Sequence, residues 1–388
     1  MNTSPWRSIF ALNAVSTLSQ IGQFGIGFIV LPVWLAQLGI NAAQAGVLAA
    51  VQWAGMLLAL VLAPKCISRM GARNTVLTAL LLSAVAFALI AQTVWPFWLL
   101  AGALIGMGVG LRWIANETWL FSLTPQHASG KVVGAHESLI ALAGVIAPIL
   151  PLWLAIHDAQ ILWIGIAFTV LAALPLFLAT PYAAEETIRT DSNIPNNAPQ
   201  NLSNLMLLGL IASVAGGLAD GALYGLFPLF TKQQGFSTEQ TTWLLVIFGL
   251  GAVAFQYPIG WSIDRFGLEK IMLSCALLAM LTSLSLIVAK ASWMWVEFNV
   301  LILGGVNSAF LTLGVFAAAS SERLKMTHHM RLISIAFTLS SIVGPLIAGL
   351  VMNQLGGQML MWQMALVSFI VLLCVIRNSW MRHRSHAA

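Results

Sequence analysis

Five ionisable side chains stand inside apolar runs of this chain. Arg112 and Glu117 lie in GLRWIANETWLF, Glu137 follows His136, Asp220 lies in SVAGGLADGALYGLF, and Glu297 follows WMWV. A carboxylate in such a setting can take up a proton or hold an amine, and a guanidinium can hold a carboxylate. On a helix, positions 112 and 117 are about 500° apart, so they do not share a face. The pairs that do are Arg112–Asn116 and Trp113–Glu117. Arg112 therefore needs a partner from another helix, and Glu137 is the expected one. Arg112, Glu117, His136 and Glu137 are expected to form one ion-pair network. Asp220, Glu137 and Glu117 are the candidates to take up and release a proton, with a purely structural ion network, or packing of Asp220 against a polar neighbour, as the bland alternative. Glu297 lies near a span end, where exposure of a charge is cheap.

The elements that must position these groups follow from composition. Apolar residues make up 59% of the 388 and charged residues 7%, against about 25% charged in soluble domains. So few charges cannot cover a soluble protein of this size, and the chain reads as an integral membrane protein. Its +5 net charge does not point to nucleic acid, because no basic cluster sits on a soluble segment. The N-terminus lacks a clean small-x-small cleavage site and reads as the first span. Cys66, Cys275 and Cys374 are scattered and read as small apolar residues.

About 20 apolar residues cross a bilayer. Breaks at charges, Pro, Gly and polar pairs leave twelve such segments, at 8–35, 43–64, 73–92, 95–119, 132–155, 160–180, 205–230, 240–262, 270–289, 292–317, 330–354 and 358–377. The polar stretch 181–204, rich in Pro and Asn, separates two sets of six. The expected fold is all-α, with twelve transmembrane helices in two pseudo-symmetric six-helix bundles, 1–180 and 205–388, joined by a cytoplasmic linker over 181–204.

Orientation follows from Lys and Arg. With the N-terminus inside, Arg7, Lys65, Arg69, Arg73, Lys131, Arg189, Arg265, Lys270, Arg323, Lys325, Arg331, Arg377, Arg382 and Arg384 are internal, and only Lys232 and Lys290 are external. This positive-inside bias places both termini in the cytoplasm.

The loop after the second span of each half carries Arg-x-Gly: PKCISRMGAR (64–73) and GWSIDRFGLEK (260–270). The second resembles the signature of the major facilitator superfamily, with Gly260, Asp264, Arg265, Gly267 and, more loosely, Lys270 in place. The first keeps Arg69, Gly71 and Arg73, but has Pro64 for the first Gly and Ser68 for the acid. In that family these loops form cytoplasmic gates. We expect Asp264 to accept backbone N–H groups near a helix N-terminus and Arg265 to pair across helices. GVIAPILP (144–151) and SSIVGPLIAG (340–349) resemble the family's glycine–proline motif. They imply close helix approach and bending at Gly144, Pro148, Gly344 and Pro345. LPVWLAQLGINAAQAGVLAA, LYGLFPLF and QYPIGWSIDRFG are similar to the YcaD branch of bacterial inner-membrane proteins. Against that branch, Gly102 stands where the fourth helix usually has Arg, and Arg112 comes ten residues later.

The resemblance implies a secondary transporter in the bacterial inner membrane, moving a small organic solute by alternating access. Protons are the expected coupling ion, and a functional monomer is expected. Gln20, Gln23, Gln52, Trp53, Trp113, Asn116, Tyr224, Gln256, Tyr257 and Asn307 are candidates to line the path. A receptor, an intramembrane enzyme or a drug-type efflux pump are the rival readings. No nucleophile–base set appears at one depth, and no phosphate loop or HExxH is present, so neither enzyme nor cofactor is expected. His328 and His329, with Met326 and Met330 in a wet loop, do not read as a metal site, and none is expected elsewhere.

Overall fold

The computed structural model describes residues 5–125, 129–156, 158–180, 203–288, 292–321 and 323–387. The expected linker 181–204, with Arg189, falls almost wholly outside them, as does Lys290. The described chain is helical throughout. Helix α1 (Pro5–Ser19) continues through a π-helical stretch, Gln20–Val30, into α2 (Leu31–Gln37). Then come α3 (Ala42–Gln92), α4 (Trp98–Ser122), α5 (Ser129–Trp153), α6 (Gln160–Leu171) and a 3-10 turn, Pro175–Leu178. Next follow α7 (Asn204–Gln233), α8 (Thr238–Phe266), α9 (Leu268–Val288), α10 (Trp293–Ala319), α11 (Arg323–Leu355) and α12 (Met359–Ala387).

Eleven of the described helices are long and apolar enough to cross a membrane. Most predicted segments coincide with a helix to within a few residues. The exception is α3, whose 51 residues would extend about 76 Å at 1.5 Å per residue, far beyond the roughly 30 Å of hydrocarbon. It is broken at Gly71, where φ 79° and ψ 160° are not helical. Gly267, which ends α8, has nearly the same conformation, φ 86° and ψ 152°. A Cβ at either glycine would meet nothing within 4 Å. The backbone angle, which side chains disfavour, is the reason for glycine at both. The Arg-x-Gly repeat thus has a local structural counterpart.

Local chemistry sets other ends. Ser203 caps α7 by accepting from Met206 N at 3.2 Å. Ser237 and Gln240 form a reciprocal capping box at α8. Large apolar side chains such as Trp153, Phe10 and Leu81 stay exposed, as lipid-facing surfaces require.

The helices cluster into two compact units: Met1–Gly27, Ala54–Ala147 and Ala159–Leu202, and then Phe28–Trp53, Pro148–Asp158 and Ser203–Ala388. The first packs Leu12, Val15, Val76, Leu80, Trp119 and Leu120 into its core. The second packs Met272, Phe310, Leu313 and Val371. In both, small residues bring helices together. Gly22 faces Thr169 and Gly165 of α6, and Gly25 faces Ala147 of α5. Within the second unit Gly46 meets the Pro345 carbonyl, and Gly344 meets the Leu218 backbone. A Cβ at Gly144 would meet nothing within 4 Å. Close approach on α5 therefore falls on fully buried Ala147, not on Gly144 as expected.

Candidate functional site

In the first unit a polar stripe runs along one face of the first helix: Asn13, Ser16, Gln20 and Gln23, spaced three, four and three residues apart. This spacing keeps them on one side of a helix. Each meets a polar group of α4 or α5. Arg112, 1% exposed, donates through Nη2 to Gln20 Oε1 at 2.9 Å and through Nε to Gln23 Oε1 at 3.3 Å. Gln23 in turn donates to Ser83 Oγ at 2.8 Å and to the Ala79 carbonyl at 3.2 Å. Asn116 donates to Ser16 Oγ at 2.7 Å and to the Leu12 carbonyl at 3.0 Å. His136 Nδ1 lies 2.9 Å from Asn13 Oδ1.

Glu137 is thus not the partner of Arg112. Consecutive residues diverge by about 100° around a helix. On α5 it is His136 that is buried, while Glu137 is exposed. Glu117 is partly buried, accepts from Trp113 Nε1, and stands 3.5 Å from His136 Nε2. Ligand atoms of Glu117, His136 and Glu137 all lie within 4.8 Å of one another. In place of the expected ion-pair network, the hydrogen bonds of Arg112 go to amides, while Glu117, within electrostatic reach of it, joins His136 and Glu137 in a Glu–His–Glu cluster. That cluster is also the group among the described residues that could hold a metal ion, where none was expected.

In the second unit Asp220, on α7, accepts a hydrogen bond from Asn307 Nδ2 on α10. Tyr224, one turn further along α7, stacks edge-on against Phe248, with centroids 5.9 Å apart. Trp53 is buried and edge-on to both Phe28 and Phe337, and Gln52 is buried beside it. The other path-lining candidates are not enclosed within a unit. Tyr257 is 80% exposed and Trp113 38%, while Gln256 is exposed and donates to Thr312 Oγ1 at 3.2 Å. Glu297 accepts from Trp243 Nε1 at 3.2 Å.

The gate-loop residues also depart from expectation. Asp264 sits exposed in the last turn of α8, not at a helix N-terminus. Arg265 lies over its own helix's Trp261 and Phe266, at 5.3 and 5.5 Å. Arg73 lies 4.9 Å from the Phe177 ring centroid, and Arg69 is exposed. Arg73 and Arg265 thus lie over aromatic faces.

Sequence reasoning named Gln20, Gln23 and Asn116 one by one, but missed Asn13, Ser16 and Ser83. The signal for the first two was the stripe's helical spacing. Ser83, a lone serine in an apolar run, gave none.

The Major Facilitator Superfamily model matches residues 12–237 and 209–386. A Salmonella newport protein called "Uncharacterized MFS-type transporter YcaD" is 25% identical over 358 residues, covering 90% of each chain. Its Salmonella typhi counterpart is 25% identical over 357 residues, again covering 90% of each. Two solved structures share the fold. One is the nucleoside transporter NupG, with a TM-score of 0.78 and 15% identity, covering 97% of this chain and 99% of that one. The other is a D-xylose-proton symporter, with a TM-score of 0.73 and 14% identity, covering 97% of each.

Proposed function

The chain belongs to the major facilitator superfamily, and from that membership we propose that it carries a small organic solute across the bacterial inner membrane in exchange or in company with protons. That it is a multi-pass secondary transporter and not an enzyme follows from the family. Breaking α3 at Gly71 turns eleven apolar helices into twelve spans. The halves are then 1–180 and 205–388, moving around a central path in alternating access. Lys and Arg asymmetry supports cytoplasmic termini.

One observation carries the coupling. Asp220 lies within an apolar α7, and its carboxylate accepts from the neutral amide of Asn307. A carboxylate at membrane depth that meets an amide rather than a cation is suited to bind and release a proton as its surroundings change. The glycines Gly216, Gly217 and Gly221 around it pack against α10 and α11, so small helix shifts reach this carboxylate directly. Glu117 and Glu137 are the second candidates, and they share their cluster with His136.

The experiment is proton flux in proteoliposomes, driven by a solute found in a thermal-shift screen. Asp220→Asn should keep solute binding and lose proton-driven accumulation. Unchanged coupling in D220N, E117Q and E137Q alike would remove the proposal.

A further inference from the structure

We infer that Glu117, His136 and Glu137 form a binding site for a divalent transition-metal ion. Asn13 Nδ2 donates to the Ile9 carbonyl at 2.9 Å. Turning the amide over would set its oxygen against that carbonyl, so Oδ1 is the atom that faces His136 Nδ1 at 2.9 Å. An amide oxygen only accepts, so Nδ1 carries the hydrogen. In the neutral ring the lone pair is then on Nε2.

That nitrogen is buried and makes no hydrogen bond. It points at Glu117 Oε1, 3.5 Å away, an oxygen that already accepts from Trp113. Two electron-pair donors thus face each other, and a cation between them resolves the repulsion. Their separation suits an ion. Two ligands about 2.1 Å from a tetrahedral metal stand about 3.4 Å apart. The Glu137 carboxylate completes the set, within 4.8 Å of both. Glu137 is exposed, so it can close onto an ion that enters from that side.

The surroundings fix the ring as metal sites do. Asn13 holds Nδ1, the outer-shell contact that sets the tautomer of a metal-bound histidine, and Phe121 stacks edge-on to the ring at 5.9 Å. One imidazole nitrogen and two carboxylates suit zinc, manganese, iron or cobalt better than calcium or magnesium, which take oxygen alone. Three protein ligands leave a fourth position open. The inference goes beyond proton-coupled transport and does not rest on it.

The test uses full-length protein in detergent, without a polyhistidine tag and stripped by chelator. Zinc is titrated by calorimetry, and cobalt by its visible d–d absorption. The expected result is one ion per chain, with tetrahedral cobalt bands. His136→Asn keeps a donor for Asn13 but lacks the Nε2 ligand, and should abolish binding. Glu137→Gln, at an exposed position that folding does not need, should weaken binding at least tenfold. Asn13→Ala should weaken it by about 10–100-fold through the outer shell. Absence of binding to the wild type would overturn the inference. So would H136N and E137Q binding like wild type, which would place the ion elsewhere. Because no flux is measured, these outcomes are independent of whether transport is proton-coupled.

Discussion

Arg112 gives its charge to a neutral amide: its Nη2 donates to the side-chain oxygen of Gln20 at 2.9 Å. A second glutamine, Gln23, takes Nε and passes its own N–H groups to Ser83 and to the Ala79 carbonyl. The π-helical stretch Gln20–Val30 opens at these two glutamines. Such stretches often mark functional positions. Here the stretch begins where the first helix contacts a buried guanidinium.

The two glutamines should not contribute equally. Gln23 is fully buried and joins three partners, whereas Gln20 is only partly buried. Gln23→Ala should destabilise the protein by about 1–3 kcal/mol, the cost of leaving buried polar groups without partners. Gln20→Ala should cost less. Thermal unfolding of the two variants in detergent checks the order, and equal losses would contradict it.

Gly71 and Gly267 should respond alike to alanine. Each has a backbone conformation that is almost exclusive to glycine, and at neither is space the obstacle. Substitution should cost about 1–3 kcal/mol at each position. The strain is confined to each glycine's own backbone, so the double variant should lose the sum of the two. Denaturation midpoints of the singles and the double measure this. Neutral behaviour at either would show that the chain relaxes there.

The two glycine–proline motifs should behave differently. At Gly344 a Cβ would run into the Leu218 backbone, and overpacking of this kind typically costs about 1–3 kcal/mol. Gly144 has open space, so Gly144→Ala should be neutral or should stabilise by up to about 1 kcal/mol through helix propensity. Melting temperatures of G144A and G344A shifting in the same direction would refute the distinction.

Asn307 should matter through Asp220. Asn307→Leu removes the amide that donates to the carboxylate and should reduce proton-driven accumulation at least tenfold in proteoliposomes. In a double-mutant cycle, N307L added to D220N should have little further effect, since both act on one contact. Full additivity of the two losses would separate Asn307 from the coupling.

Much of the fold was legible in the sequence, because length and hydropathy suffice to mark a membrane helix. The break inside α3 was legible as well, since Arg69-x-Gly71 repeats at Arg265-x-Gly267 and only glycine suits that backbone. The candidate site was legible in part. Helical spacing correctly separated Arg112 from Glu117 and joined Trp113 to Glu117. It also contained the stripe Asn13–Ser16–Gln20–Gln23. Spacing shows which residues share a face, but not which helix that face meets.

That choice belonged to the tertiary structure. Packing the first helix against α4 and α5 set Gln20 and Gln23 on Arg112, and Asn13 on His136. It left Glu137 at the surface, where it cannot answer a buried guanidinium. The sequence by itself determined the class of molecule, its long apolar helices and the faces of those helices, because these depend on local composition and on helical periodicity. Only the tertiary structure decided that Arg112 is held by neutral amides, and that His136 turns a lone pair toward Glu117. Both depend on which atoms of distant segments come within about 3 Å of each other, and no one-dimensional pattern records that.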